Sequence, residues 1–530
     1  MRCANLCLCL LVAAVLGITQ SSADVLTRGN HQDPASLDPH RISTVYEQNI
    51  ILDLFEGLTS PDSGGRPIPA AAESWSVSDD GLTWTFLLRP NQTWSDGVSL
   101  TADDVVYSFQ RLLNPATASQ YPYLFHAIEN AEAITLGDRP ARDLGVRALN
   151  SHEVKITLNS SAPFFPELLS NGFAALVPKH VIDAQGDAWV SPGIMVSNGA
   201  YTLKDWRPQD RVELVANSMH RDLTELFFEQ ITYLPTEDQS AAVAQFRAGA
   251  LDTSLEFPTA RTPWLLENLP DETRIADYLI TFYLAFNTQH LVLADARVRQ
   301  ALSLAIDREV LADRVLRSGE KPAYSFVPPA VSDYIPPIPD TASWGMNQRR
   351  AKATELLAAA GYGPQSPLRL TYSLSSAEDR RRVAAAIAAM WRPLGVEVEL
   401  NNTEGKVLFS RLRSGDFEIG YAGWAADVND AANFLAVLQS TSTTSNYARY
   451  RNDEYDQLIK AAGLAVDRDT RAELLAQAEK LLLRDAPIAP LFHGVSKNLV
   501  SKQITGWINN PRDVHLSRYL KRDLNISMDD

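Results

Sequence analysis

The chain has 530 residues, and at roughly 100–200 residues per domain that length suggests two to four domains and a core large enough to fold without staples. With 45% hydrophobic and 21% charged residues, and 26 glycines and 30 prolines spread along its length, its composition is that of a globular protein and excludes collagenous, disordered and membrane-embedded classes. A formal net charge of −16 argues against a general nucleic-acid binder, because neutralising phosphates needs clustered Lys and Arg.

Met1–Ala23 reads as a cleaved secretory signal: Arg2 is its only charge, Leu8–Ile18 is apolar, and Ser21, Ser22 and Ala23 are small residues before Asp24. The alternative, a membrane anchor, needs roughly 20 apolar residues, and about eleven are available. Cys3, Cys7 and Cys9 are the only cysteines and all lie inside this segment, so the exported chain is expected to carry neither a disulfide nor a thiolate metal site. None of them follows the small-residue triplet usual before a lipidated cysteine. A soluble acidic protein outside the cytoplasm is the expectation.

Downstream, short β-like runs alternate with amphipathic helices, the pattern of an α/β protein. Thr83–Arg89 alternates as a strand, and Thr101 with Asp104 forms a capping box for a helix carrying Val105, Val106 and Phe109 on one face. Asp295 caps a helix from about Ala296 with Val298 and Leu302 on one side, and another helix follows Asp307 and stops near Gly319. Lys352–Ala360 is a helix closed by Gly361 and Pro364. Within Phe417–Phe434, Phe417–Tyr421 suits a strand, Gly423 admits close backbone approach, Trp424 offers a broad apolar face, and Asp427 sits where the chain turns. That is how a ligand clamp is built, although a core Trp424 and a turn-forming Asp427 fit the same segment. Thr470 and Glu473 cap a helix whose Leu474, Leu475, Ala478, Leu481 and Leu482 share a stripe, ended by Pro487. No repeat or long flexible linker separates these elements, so interleaved domains are expected.

Nothing in this order demands catalysis. The nine histidines form no metal-ligand spacing and have no cysteine beside them, so no metal and no cofactor is expected. Gly361-Tyr362-Gly363 lacks the third glycine of a dinucleotide loop, and neither a phosphate loop nor a Gly-x-Ser-x-Gly elbow occurs. No spacing of carboxylates singles out an acid/base pair.

Several blocks read together resemble a known family: Ser36–His40 (SLDPH), Asp53–Thr59 (DLFEGLT), Ala72–Asp80 (AESWSVSDD), Trp94–Arg111 (WSDGVSLTADDVVYSFQR), Leu176–His180 (LVPKH), Ser197–Trp206 (SNGAYTLKDW), Val298–Glu309 (VRQALSLAIDRE) and Gly423–Leu435 (GWAADVNDAANFL). They are similar, in this order, to the periplasmic oligopeptide-binding proteins of ABC importers, the peptide/nickel group of solute-binding proteins. The resemblance implies a bilobal α/β fold with an extra inserted domain. Lobe I would comprise 24–55, 177–279 and 495–530, the inserted domain 56–176, and lobe II 280–494, with crossings near Leu279–Ile280 and Gly494–Val495. It implies a non-enzymatic periplasmic monomer that closes on short extended peptides and delivers them to ABC permease subunits. Receptors for murein peptides, dipeptides or nickel chelates are the alternatives within the fold; a hydrolase or a chaperone are those outside it.

The same resemblance assigns residues. Asp427 would pair with the peptide ammonium, Gly423–Ala425 and Ser43, Thr44 and Val45 would add the peptide as a strand, and Tyr121, Tyr283 and Trp424 would supply aromatic walls. Where relatives often place an arginine for the peptide carboxylate this chain has Tyr421, so Arg380 or Arg317 would supply that charge. Ser43 and Ala285 stand where relatives carry glutamates, and Glu256 where a neutral polar group is common.

Overall fold

The computed structural model describes residues 24–526; Met1–Ala23, expected to be a secretory signal, lies outside them. Its backbone is one mixed sheet that runs through the whole molecule, flanked by helices and by a separate small sheet. From one edge the order is Val396–Thr403, Leu368–Ser375, Ile419–Ala425, Thr273–Phe286, Ile488–Val500, Thr253–Leu255, Val25–Gly29, Gln230–Leu234, Arg211–Ala216 and Tyr201–Arg207. The short strand Lys321–Pro322 pairs with Ile488–Val500 off this path.

Two long antiparallel strands, Thr273–Phe286 and Ile488–Val500, belong to both halves of this sheet. Their register is regular from Thr273↔Leu499 to Asp277↔Val495, breaks, and resumes at Thr281↔His493. The break spans Asp277–Thr281 on one strand and His493–Val495 on the other. A Cβ on Gly494 would lie 2.4 Å from Ile280 Cγ2, so the two crossing strands approach as closely as only glycine allows.

Apolar packing separates along the same line. A large cluster holds Leu26, Phe55, Phe86, Trp94, Phe109 and Ile231, while two others built from residues 279–492 cover opposite faces of the sheet's far half. The four-stranded sheet of Ala72–Val77, Thr83–Leu88, Glu153–Thr157 and Val146–Asn150 is distinct from the main sheet, yet its Trp84 and Phe86 belong to the first cluster. The small sheet is therefore separate in its hydrogen bonding but shares its apolar core with one half of the main sheet.

Most expected elements are present. The strand covers Thr83–Leu88, and the Thr101–Asp104 capping box opens the helix Ala102–Leu113. A helix spans Ala296–Leu304 after the Asp295 cap, and the segment after Asp307 winds through a wide π-type turn, Leu311–Leu316, before reversing at Arg317. Three boundaries differ, the first being the strand expected over Phe417–Tyr421, which runs over Ile419–Ala425. The helix expected over Lys352–Ala360 begins at Met346, because its first turns carry charged residues with no apolar periodicity while buried Arg349 faces inward. The last long helix is Arg468–Asp485, capped by Asp467 rather than Thr470: the Asp467 carboxylate accepts the Thr470 amide at 2.8 Å and its hydroxyl at 2.7 Å. Among the described residues no helix is long and apolar enough to cross a membrane, and no cluster of three metal-ligating side chains occurs.

Candidate functional site

The strand Ile419–Ala425 pairs antiparallel with Thr273–Phe286 along its length, but Leu368–Ser375 accompanies its other edge only at Ile419 and Gly420. Tyr421–Ala425 thus has one edge without a strand partner. The Ala426 amide donates to the Leu279 carbonyl at 2.8 Å, which fixes the alternation: residues 422, 424 and 426 turn their peptide groups toward the paired strand. The N–H and C=O groups of Tyr421, Gly423 and Ala425 therefore point to the open edge. A Cβ on Gly423 would sit 2.9 Å from the Phe282 ring, so glycine lets that ring lie over the backbone.

A groove meets this edge at Tyr421 and again at Ala426 and Asp427, while Gly423 and Ala425 line neither of its cavities. Its main cavity, about 520 Å³, is lined by residues from both halves of the sheet, including Val45, Glu256, Tyr278, Phe282, Arg380 and Tyr421. A smaller cavity of about 70 Å³ shares Val45, Gln48, Tyr278, Arg512 and Val514 with it and ends on Thr44, Tyr121 and Asp427. The groove therefore has an acidic end at Asp427 and a basic end at Arg380.

Asp427 follows the strand where the chain bends toward the helix Ala431–Leu435. Its amide donates to Asn433 Oδ1 at 3.3 Å, Trp424 Nε1 donates to the same oxygen at 3.1 Å, and Tyr123 donates its hydroxyl to Asp427 Oδ2 at 3.1 Å. Burial pushes its carboxyl up from the ordinary value, against the opposing pull of the Tyr123 and Asn433 hydrogen bonds. Among the described residues no cation lies within ion-pair distance of it. A sheltered carboxylate held by neutral donors is a receptor for a positive group brought in from outside. Tyr121, stacked on Phe173 at 4.5 Å, walls the same end, and its hydroxyl is pushed up to about 12 by burial and then by Asp427.

At the other end, the Arg380 guanidinium lies 5.0 Å from the Tyr421 ring centroid and 5.7 Å from that of Phe282. Two aromatic faces hold it in place, and among the described residues it makes no ion pair. It sits in the first turn of the helix Glu378–Trp391. The position where relatives are expected to carry a carboxylate-binding arginine is thus occupied by a tyrosine that supports an arginine from a different element.

Several expectations are corrected. Ser43, Thr44 and Val45 are not a strand: Thr44 caps the helix Val45–Leu54 in a capping box with Glu47. The Ser43 and Thr44 amides already donate to Glu47 Oε2 at 2.7 and 3.0 Å, which leaves them no hydrogens for a guest backbone. Thr44 and Val45 line the groove with side chains instead, while Ser43 lines neither cavity. Tyr283 is core, 0% exposed and edge-on to Phe326 at 5.2 Å. Along its strand alternate residues face opposite sides, so Phe282, one position away, is the aromatic residue that reaches the groove. Trp424 packs against the far-face cluster and holds Asn433, which makes it a positioning residue for Asp427 rather than a wall. Arg317 adopts a left-handed backbone, φ 60°, at the end of its turn; it is exposed and lines neither cavity.

Sequence reasoning did not find Tyr123, Asn171, Tyr278, Phe282, Asn433 or Arg512. Arg512 is buried and reaches from the C-terminal segment to Ser170 Oγ at 2.9 Å and Asn171 Oδ1 at 2.8 Å, and Asn171 Nδ2 donates to the Asp427 carbonyl at 3.4 Å. The contacts of Tyr123, Asn171 and Arg512 named here join residues 256 to 342 positions apart, and the others carry no local motif, so only folding assembles them.

Three comparisons agree with this geometry. Residues 66–446 match the family described as bacterial extracellular solute-binding proteins, family 5 middle. The chain is 38% identical over 495 residues to the periplasmic oligopeptide-binding protein OppA of Salmonella typhimurium, covering 93% of this chain and 91% of that protein. It is 37% identical over 506 residues to the periplasmic murein peptide-binding protein MppA of Escherichia coli, covering 95% and 94%. Among solved structures, the unliganded open form of MppA superposes with a TM-score of 0.84 at 36% identity over 95% of this chain and 98% of that one. The complex of Haemophilus influenzae OppA with RPPGFSPFR gives 0.79 at 33% identity, covering 94% and 99%. An α/β sheet crossed by two shared strands, a groove at the crossing and these matches together place the chain in family 5 of the bacterial extracellular solute-binding proteins.

Proposed function

We propose that this protein is the periplasmic receptor of an ABC importer, a monomer exported by a cleaved signal and lacking enzymatic activity, which captures short peptides in extended form and hands them to membrane permease subunits. The observation that carries this reading is Asp427, a sheltered carboxylate without a cation at one end of an open strand edge. A peptide offers what the groove lacks: an ammonium for Asp427, backbone groups for Tyr421, Gly423 and Ala425, and a carboxylate for Arg380. The relatives' printed names, oligopeptide-binding and murein peptide-binding, support this solute class. Lobe I in this reading comprises 24–55, 177–279 and 495–530, with 56–176 inserted and 280–494 as lobe II.

The span from Asp427 back to Tyr421 is about 15–20 Å at the rise of a strand, which suits a guest of roughly four to five extended residues. Side chains of the guest alternate to either side of the added strand, and water in the cavity satisfies different groups without rebuilding the wall.

Isothermal titration of the purified protein with tetra-alanine and its N-acetyl form tests the reading. One-to-one binding of the free peptide is expected. Acetylation, or Asp427→Ala, should cost about 3–5 kcal/mol, which is roughly 10²- to 10³-fold or more in Kd. Equal affinity for both peptides would remove the ammonium anchor.

A further inference from the structure

The acids that line the groove are not equivalent. Glu320 is paired with Lys497 Nζ at 2.9 Å, Asp379 with Arg382 at 2.5 Å, and Asp513 accepts from Asn498 Nδ2 at 2.8 Å with His515 Nε2 at 3.1 Å, while Glu378, without an ion pair among the described residues, is exposed at the start of its helix and is not held by neighbouring donors. Glu256 has a different environment. Tyr46 donates its hydroxyl to Oε1 at 2.7 Å and Gln239 Nε2 donates to Oε2 at 2.9 Å, so each carboxylate oxygen is fixed by a neutral donor. Among the described residues no Lys or Arg lies within ion-pair distance; the nearest basic group is His31 Nε2, at 3.9 Å. The side chain remains 45% exposed, and the surface it presents is part of the wall of the 520 Å³ cavity.

From this arrangement, and resting on the peptide-receptor reading above, we infer that Glu256 is a specificity-determining residue that accepts a cationic side chain of the guest, a lysine, an arginine or another ω-amino group. The ammonium of the guest is taken by Asp427, at the other end of the wall that Tyr278 and Gln48 share between the two cavities. A second positive charge must therefore come from a side chain. Pinning both oxygens beforehand removes the ordering cost that a flexible surface glutamate would impose on each binding event. The two neutral donors leave the charge in place, and each carboxylate oxygen keeps acceptor capacity beyond the single bond it makes. Tyr278 reports the local field: burial first, and then Asp513, Glu256 and Asp427, raise its hydroxyl well above the ordinary value. A guest that places an acidic side chain beside Glu256 meets repulsion.

The test is calorimetric titration of wild type, Glu256→Gln and Glu256→Lys with alanine tetrapeptides in which lysine or glutamate replaces alanine at each position in turn. The readout is the ratio of affinities, Lys:Ala:Glu, within each protein, whatever the variant does to tetra-alanine itself. Wild type should favour lysine over alanine by about tenfold at one or two positions and disfavour glutamate there by a similar factor. Glu256→Gln keeps both pinning contacts possible and should bring those ratios to near one, and Glu256→Lys should invert them, with circular dichroism melts establishing that both variants fold. Binding of all peptides without charge preference in wild type, or a lysine preference that survives Glu256→Gln, overturns the inference alone. Failure of wild type to bind any peptide in the series overturns the receptor reading and this inference with it.

Discussion

Asp427 and Glu479 are both carboxyl groups that burial pushes upward, and their surroundings give them opposite consequences. For Asp427, on the proposed peptide-receptor reading, a guest ammonium would stabilise the charged form, so binding would expel a proton wherever the free carboxyl is protonated. Tetra-alanine affinity should be flat near neutrality and then fall on acidification, about tenfold per pH unit below the Asp427 value, starting at a higher pH than an ordinary aspartate would require. Calorimetry across pH 3–7 in two buffers checks both the slope and the proton release; Asp427→Asn should bind weakly without that slope. Glu479 has no guest to wait for. It accepts the Phe326 and Val327 amides at 2.7 and 2.8 Å and the Tyr334 hydroxyl at 2.6 Å, yet burial outweighs these bonds and raises its carboxyl to about 7 from the ordinary 4.5. Between those values the folded state keeps a proton that the unfolded chain has released, so stability falls as pH rises, by roughly 3 kcal/mol in all. Glu479→Gln mimics the protonated acid: its stability, measured by urea denaturation, should lack this loss, so the variant gains on wild type from pH 5 to pH 8. The two groups were not equally visible in the sequence. Asp427 stands in a recognisable block, whereas Glu479 lies in a helix where its neighbours Leu475, Ala478 and Leu482 attract notice and its own burial depends on a loop 145 residues away.

At the scale of elements, the open edge of Ile419–Ala425 is where backbone chemistry and guest would meet. Ala425 turns its amide to that edge, so Ala425→Pro removes a donor from the guest without removing a ladder bond to Thr273–Phe286. The expected result is a loss of roughly fivefold in peptide affinity, about 1 kcal/mol for one hydrogen bond, with a melting temperature close to wild type. Trp424→Pro, whose amide faces the paired strand, should instead lower the melting temperature as well. The opposite wall is built differently: one carboxylate, Glu47, gathers the amides of Ala35, Ser36, Ser43 and Thr44 and fixes the approach to the helix Val45–Leu54. The Ser/Thr-x-x-Glu spacing is present in the sequence at Thr44–Glu47, but the family resemblance implied a peptide-pairing strand at Ser43–Val45. Only the tertiary position of Glu47, which is buried, decides for the cap.

Across the whole molecule, distant parts of the chain are tied by buried charge. Glu56 receives Arg221 at 2.6 and 2.8 Å, also pairs with Arg518 from the C-terminal segment, and lies 3.7 Å from His220. Burial alone would raise its carboxyl; the two arginines and His220 overcome that and hold it well below the ordinary range. Ser517 adds an amide to Asp53 at 2.9 Å, so the end of the chain is sewn to the helix that begins the groove wall. Glu56→Ala would leave Arg518 without its counter-charge and Arg221 with only Asp222, at 3.4 Å, and should destabilise the protein by about 3–5 kcal/mol, read from the midpoint of urea denaturation. A second set of contacts joins the two halves directly: Glu167 Oε1 accepts the Asn429 amide at 2.6 Å, two residues beyond Asp427.

What the sequence by itself determined was the class of fold, the order of the elements and the acidic end of the groove, because periodicity, caps and turn residues act over a few positions and because Gly423–Leu435 is a contiguous block. It also left the aromatic walls one residue out of phase: Tyr283 and Phe282 are equally plausible until the sheet fixes which face each one takes. The tertiary structure alone decided that Arg380 rests on Tyr421 at the cavity wall, that Arg317 stays outside, and that Glu256, among the described residues, is held by neutral donors with no Lys or Arg in ion-pair distance. Those facts depend on contacts between residues tens to hundreds of positions apart, and local propensity carries no information about which charges end up paired and which are left free.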